Sequence, residues 1–178
     1  MTRRIVITGP ECTGKTTLAA ELAERLGVPW LPEAARDYAA AVARAGRILD
    51  ATDVDRIAER HTAAEDSLRA TNPPLIVLDT DLMSTVAYGR HYYGGSSAWL
   101  ESEARARRGD LYLLCSPDIP WVPDGVRDRP TGREEMLAHF RRVLNEFDVR
   151  TADVWGTGPA RLEAALAAVR AIGLTAAD

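Results

Sequence analysis

The sequence predicts a three-layer α/β/α fold on a parallel, five-stranded sheet, carried by one domain over residues 1–178. Three observations predict it. The short runs Arg4–Thr8 (RIVIT), Leu75–Leu78 (LIVL) and Leu111–Cys115 (LYLLC) lack the polar alternation of a half-solvated strand, so they read as strands buried on both faces. Apolar residues between them recur at helical spacing. Gly and Pro mark the joins. Strands alternating with helices mean a parallel sheet, with functional loops gathered at the strand carboxyl ends.

Each element follows in order. After the first strand, Gly9 to Thr16 is a Gly-containing loop, and Leu18, Leu22 and Leu26 predict a helix over 17–26 that Gly27 closes. Val28–Leu31 is a weak second strand ended by Pro32, and Ala34–Ala45 is helical. Thr52 is the expected cap of a helix running to Arg69, with Ile57 and Leu68 inward. Asn72-Pro73-Pro74 breaks the chain before the third strand, which ends at Asp79. Helices near 82–88 and 98–107 precede the fourth strand. Residues 118–131 are rich in Pro, Gly, Asp and Arg and read as a long polar loop, within a lid region of about 118–133. A helix over 133–145, a fifth strand over 151–155 and a last helix to Ile172, with Pro159 in its first turn, complete the chain.

Composition narrows the function. Hydrophobic residues make up 46% and charged residues 27%, a globular balance that argues against disorder. A net charge of -4 implies no general attraction to nucleic acid or to an anionic membrane. No apolar run approaches the roughly 18 residues of a membrane span, and the first residues pass straight into a strand, which leaves no room for a signal peptide. Two cysteines, Cys12 and Cys115, make no disulfide framework and point to a reducing, cytoplasmic setting. His61, His91 and His139 lack metal-ligand spacing and read as structural. Lys15 is the only lysine, the other 21 of the 22 basic residues being arginines. Lysine is a compact point charge and arginine a wide planar fork, so a tight anion nest can require lysine.

Lys15 falls inside Gly9-Pro10-Glu11-Cys12-Thr13-Gly14-Lys15-Thr16, a full G-x-x-x-x-G-K-[ST] motif between a strand and a helix. Its glycines let successive N–H groups face the phosphates of a nucleotide, and the helix amino terminus adds partial positive charge. ATP and Mg²⁺ are therefore the expected cofactors. Gly9, Glu11, Cys12, Thr13, Gly14, Lys15, Thr16 and Thr17 form the nucleotide side, with Thr16 as a metal ligand. Asp79-Thr80-Asp81 ends an apolar strand; Asp79 is the expected second metal group, while Asp81 either contacts substrate or caps the next helix. Glu33 and Arg36 follow the second strand on the acceptor side. Glu33 either takes the proton of an attacking hydroxyl and holds its ribose, or merely complements the helix dipole. Trp121, Arg127 and Arg129 lie in the lid region, where positive charge would stabilise a transferring phosphoryl group. Gly156 either admits an adenine ring or turns the chain into the last helix. The tyrosines of 88–93 read as packing. The chemistry predicted is phosphoryl transfer from ATP to a small acceptor, with Lys15, Glu33, Asp79 and Arg127 as catalytic candidates. A guanine-nucleotide switch is disfavoured because N-K-x-D is missing and no D-x-x-G follows the third strand.

The motifs G-P-E-x-T-G-K-T, P-E-x-x-R-x-Y, D-T-D and P-D-I-P-W-V-x-D-G-x-R-D occur here in that order. Together they resemble the ribosylnicotinamide kinase domain of the bacterial NadR-type proteins, from Arg4 to the last helix. The resemblance implies a P-loop fold like that of thymidylate and deoxynucleoside kinases, and transfer from MgATP to nicotinamide riboside, giving nicotinamide mononucleotide. It implies that Gly14, Lys15, Thr16 and Thr17 hold nucleotide and metal, that Glu33, Arg36, Asp79 and Asp81 serve acceptor and Mg²⁺, and that Trp121, Asp124 and Arg127 belong to the lid. NadR-type proteins carry an adenylyltransferase domain before the kinase, whereas eight residues precede Gly9 here, so a separate adenylyltransferase partner is expected. Pro32 stands where some members have an aromatic residue, which leaves Trp30, Tyr38 or Trp121 as candidates to stack on the nicotinamide ring.

Overall fold

The computed structural model describes residues 2–120 and 132–174. Strands β1 (Arg3–Thr8), β2 (Trp30–Leu31), β3 (Leu75–Asp79), β4 (Leu111–Cys115) and β5 (Thr151–Val154) form one parallel sheet in the order β2-β3-β1-β4-β5. Strand periodicity of two sends alternate residues to opposite faces. Ile5, Ile7, Val77, Leu113 and Cys115 pack against helices α1 (Lys15–Leu26) and α7 (Gly158–Ala171). Val6, Ile76, Leu78, Tyr112 and Leu114 pack against α3 (Ala51–Arg69), α4 (Leu82–Tyr93), α5 (Ala98–Ala106) and α6 (Arg133–Glu146). Both faces are thus covered, which is why the strands read as unbroken apolar runs. Helix α2 (Ala34–Arg44) stands apart, seating Tyr38 and Val42 on Ile57 of α3 in a small satellite core.

Several boundaries differ from the sequence expectation for local reasons. β2 shrinks to two residues, because Val28 and Pro29 carry the chain out of α1 before pairing with β3 begins at Trp30. The cap of α3 is Asp50, not Thr52: the Asp50 carboxylate accepts from the Thr52 N–H at 2.8 Å, and Asp53 reaches back to the Asp50 N–H at 3.1 Å. That reciprocal pair is a capping box with aspartate at both ends. Helix α4 runs on to Tyr93, five residues past its expected end, and stops at Gly94 in the left-handed region.

Beneath α3 lies a buried polar cluster. Arg4 Nε donates to Glu65 at 2.7 Å, and His61 Nε2 sits 3.7 Å from the other Glu65 oxygen, with no hydrogen-bond partner among the described residues. Burial pushes the His61 imidazole below its ordinary range, the nearby Glu65 charge opposing this. The unfolded chain therefore binds a proton more readily than the folded one. Stability from this group is present above the unfolded value, near pH 6.5, and is lost as pH falls below it. Urea unfolding midpoints at pH 7.5, 6 and 5 should show a decline, and His61→Gln should flatten it by on the order of 1 kcal/mol. Equal slopes would remove His61 as the cause.

Candidate active site

The site forms where β1 and β3 end side by side. Ile7 pairs with Asp79, and the Thr80 N–H donates to the Ile7 carbonyl at 2.9 Å. The loop leaving β1 and the carboxylate ending β3 are therefore neighbours by register. At Gly9 the backbone takes φ +130° and passes so close to β4 that a Cβ would lie 2.8 Å from the Cys115 carbonyl oxygen. Only glycine fits there.

The direction of the loop's N–H groups follows from where its carbonyls go. Tyr88 Oη donates to Gly9 O at 3.2 Å; Thr13 Oγ1 and Lys15 Nζ donate to Pro10 O at 2.8 and 2.6 Å. Arg133 donates to Cys12 O at 3.3 Å, Arg161 to Thr13 O at 2.9 Å, and the Leu18 N–H to Gly14 O at 3.0 Å. Carbonyls tied back to the protein leave the N–H on the opposite side of each peptide plane facing the concavity. α1 begins at a left-handed Gly14 with no side-chain cap, so its first N–H groups and its dipole are available to an anion. This is a phosphate nest. Thr17, though in the first turn of α1, is exposed.

The residues beside the nest suit Mg²⁺. Thr16 Oγ1 donates to Asp79 Oδ2 at 2.6 Å, while Asp79 Oδ1 is buried with no partner among the described residues. A hydroxyl and an under-satisfied carboxylate, both hard oxygen donors, match the one or two protein ligands that Mg²⁺ takes beside a nucleotide. Burial pushes the Asp79 carboxyl up from its ordinary range, with the Glu33 charge adding to it and the Thr16 hydroxyl and Lys15 opposing. A cation there would relieve that penalty. Among the described residues no cluster of three or more His, Cys, Asp or Glu side chains forms a separate metal site.

Next to the nest opens a cleft of about 540 Å³ between α2, α3 and α4. Glu11, Glu33, Thr80 and Ser84 line it together with Tyr88, Tyr92 and Tyr93. Glu33 is the N-cap residue of α2, yet its side chain makes no capping bond; it is buried, with Arg36 Nε 3.8 Å from its Oε2. Arg36 itself is more than half exposed.

The geometry bears on four expectations, deciding between the two roles left open for Asp81 and correcting the others. Asp81 is the N-cap of α4, accepting from the Ser84 N–H at 3.1 Å and from Tyr112 Oη at 2.6 Å. It is fully enclosed, and burial pushes its carboxyl up to about 6 in spite of those donors. It serves as the helix cap, the second of its two expected roles, and is not among the described residues lining the cleft between α2, α3 and α4. Trp30 packs against the α1–α7 side of the sheet, and Tyr38 is buried with its hydroxyl on Asp53 at 2.6 Å, so neither lines the cleft. The tyrosines of 88–93, read as packing, line it instead. Tyr88 and Tyr92 stack at 6.1 Å with planes 4° apart. His91 and His139, far apart in sequence, have ring centroids 5.7 Å apart, with His139 on the Ala87 carbonyl. Trp121, Asp124, Arg127 and Arg129 lie outside the described residues.

Gly156 takes φ +85° and turns the chain from β5 to α7. Its N–H donates to Asp118 at 2.6 Å, and its carbonyl accepts from Arg161 at 2.6 Å. Arg161 was missed by sequence reasoning. It is 4% exposed and joins Asp118, Gly156, Thr13 and Ser116. Among the described residues, no helix is long and apolar enough to cross a membrane.

The chain is similar to known proteins in sequence and in fold. Over 146 residues, 82% of this chain, it is 31% identical to the trifunctional NAD biosynthesis/regulator protein NadR of Escherichia coli K12, and 30% identical to that of Salmonella typhimurium LT2. The match covers 35% of each, so the chain spans about a third of the length of these curated relatives. The crystal structure of a NadR protein in complex with NR superposes with a TM-score of 0.76 at 25% identity, over 99% of this chain and 52% of that one. Thymidylate kinase from Ehrlichia chaffeensis shares the fold, with a TM-score of 0.65 at 14% identity over 96% of this chain and 98% of that one. A family model described as an AAA domain matches residues 4–161, from the first strand to the arginine behind the phosphate nest. The chain belongs to this AAA-domain family of P-loop proteins, and within it is similar to the NadR-type proteins.

Proposed function

We propose that this chain is a MgATP-dependent kinase that phosphorylates the 5′-hydroxyl of nicotinamide riboside, giving nicotinamide mononucleotide and ADP. One observation carries the reading: a phosphate nest opens directly onto a nucleoside-sized cleft, with the buried Glu33 carboxylate lining it. The cleft's volume lies within the ordinary range of small-molecule sites. Likeness to a NadR protein in complex with NR supports the choice of acceptor.

The N–H groups of the nest hold the β- and γ-phosphates, and Lys15 leaves Pro10 O to lie along them. Thr16 and Asp79 would hold Mg²⁺, which when bound would supply charge neutralisation on the same phosphates. Glu33 accepts a hydrogen bond from the acceptor hydroxyl and aims its oxygen at phosphorus. The oxygen–phosphorus bond forms as the bond from the γ-phosphorus to the bridging oxygen breaks. ADP departs with that electron pair, and the hydroxyl proton passes to Glu33. Asp79, which would hold the metal together with Thr16, is the poorer candidate for that proton. Arg127 and Arg129 would add charge from the lid region. The mononucleotide product is the substrate an adenylyl transfer would need to make a dinucleotide, and a separate adenylyltransferase is the partner this reading proposes.

Coupled ADP release with MgATP tests the reading, with nicotinamide riboside beside uridine, thymidine and thiamine. Release that depends on nicotinamide riboside is expected. Release with another acceptor would keep the phosphoryl chemistry and overturn the acceptor; no release with any would overturn the kinase.

A further inference from the structure

The phosphate nest contains a carboxylate that phosphate binding does not use. Glu11 is third in the loop and 8% exposed. Aimed at a nucleotide it would repel it, since two like charges about 5 Å apart cost several kcal/mol at the dielectric of a protein site. It is aimed elsewhere. Its side chain lines the acceptor cleft, and Oε1 accepts from Tyr92 Oη at 2.7 Å. A buried carboxylate is ordinarily compensated by a cation or by several N–H donors. Among the described residues a single neutral phenol does this for Glu11.

The rest of the cleft has the same sign. Glu33 lines it as a second buried carboxylate, with the more than half exposed Arg36 3.8 Å from its Oε2. Arg47, the basic residue among the described lining residues, is already committed to Asp50 at 3.4 Å and Asp53 at 3.0 Å. The aromatic residues among the described lining residues are Tyr88, Tyr92 and Tyr93, and ring faces attract cations. Carboxylates and tyrosine rings, without a free basic group among the described lining residues, make a pocket for a positively charged ligand.

We infer that Glu11, held by Tyr92, is a specificity-determining residue for the acceptor, selecting a cationic N-glycosyl base over a neutral base of the same shape. This deepens the kinase reading above and rests on it. A pyridinium nucleoside brings the positive charge that Glu11 lacks. A neutral nucleoside leaves the carboxylate under-compensated in the complex and loses affinity.

The test is a pair of acceptors that differ in charge and little else: nicotinamide riboside, a cation, and its neutral dihydro form. Glu11→Gln keeps an oxygen for the Tyr92 hydroxyl and removes the charge. The wild-type protein should favour the cation in kcat/KM, and Glu11→Gln should cut that preference at least tenfold, mainly through a raised KM for the cation. Tyr92→Phe, which keeps the charge, should retain most of the preference. An equal loss for both acceptors, or an unchanged ratio, would overturn the inference and leave the kinase reading standing. So would equal use of the two acceptors by the wild type, a result that needs no variant to fold. Turnover of neither acceptor by the wild type would overturn the nicotinamide reading itself, and the inference with it.

Discussion

Replacing Lys15 by alanine should lower turnover by on the order of a thousandfold, the loss typical of removing a group that meets charge in the transition state, while the protein stays folded. Lys15 is the only lysine in the chain and sits at the base of the phosphate nest. Its ammonium donates to Pro10 O at 2.6 Å, but that carbonyl also accepts from Thr13 Oγ1 at 2.8 Å. The loop therefore keeps a bond at this point when the lysine is removed, and the unfolding temperature should move by only a few degrees. Lys15→Arg should be almost as inactive. The guanidinium is wide and planar, and the position demands a compact charge on a flexible stem. ADP release and thermal unfolding, measured on the same preparations, check the expectation. Near-normal turnover from a folded Lys15→Ala protein would remove the nest from the chemistry.

What was legible in the sequence was what local physics controls. The strands could be read because a sheet covered on both faces needs unbroken apolar runs, and Leu75–Leu78 and Leu111–Cys115 have no other use. The nest could be read because its glycines and Lys15 serve a backbone conformation set within eight residues. Thr16 and Asp79 follow from the motif and from a strand end, and β1–β3 register brings them together. The remainder depends on contacts between distant segments. Asp81 and Asp79 look alike in sequence; a tyrosine 31 residues away makes Asp81 a buried cap. Tyr88 and Tyr92 stand one helical turn apart, the spacing of core residues, and only the placement of α2 across from them opens a cleft there. Asp50 could have been found, because Asp53 follows it at capping-box spacing and aspartate caps somewhat better than threonine, but Thr52 is also a preferred cap by type. Arg161 stands in an alanine-rich helix, where a lone arginine reads as surface.

Arg161→Met should show how far that arginine matters. Among the described residues it is the buried arginine whose side chain bonds the nest. Nη1 donates to Asp118 Oδ1 at 2.8 Å and Gly156 O at 2.6 Å, Nη2 to Thr13 O at 2.9 Å and Ser116 O at 3.0 Å. One side chain thereby ties the nest to the carboxyl ends of β4 and β5. Methionine fills much of the volume and donates nothing, so three carbonyls and a carboxylate lose a partner. Breaking such a buried charged network costs about 3–5 kcal/mol, which for a domain of this size lowers the unfolding temperature by about 10 °C. A second effect separates positioning from stability. Thr13 O is one of the carbonyls whose outward direction leaves an N–H facing the nest, so KM for ATP should rise about tenfold. KM for the acceptor should hardly change, because its cleft lies across the nest, between α2, α3 and α4. Arg161→Lys, able to restore part of the network, should recover some of the ATP affinity. A less stable protein with an unchanged KM for ATP would assign Arg161 to holding the strand ends together, and would mean that the remaining ties on the loop suffice to keep the nest open.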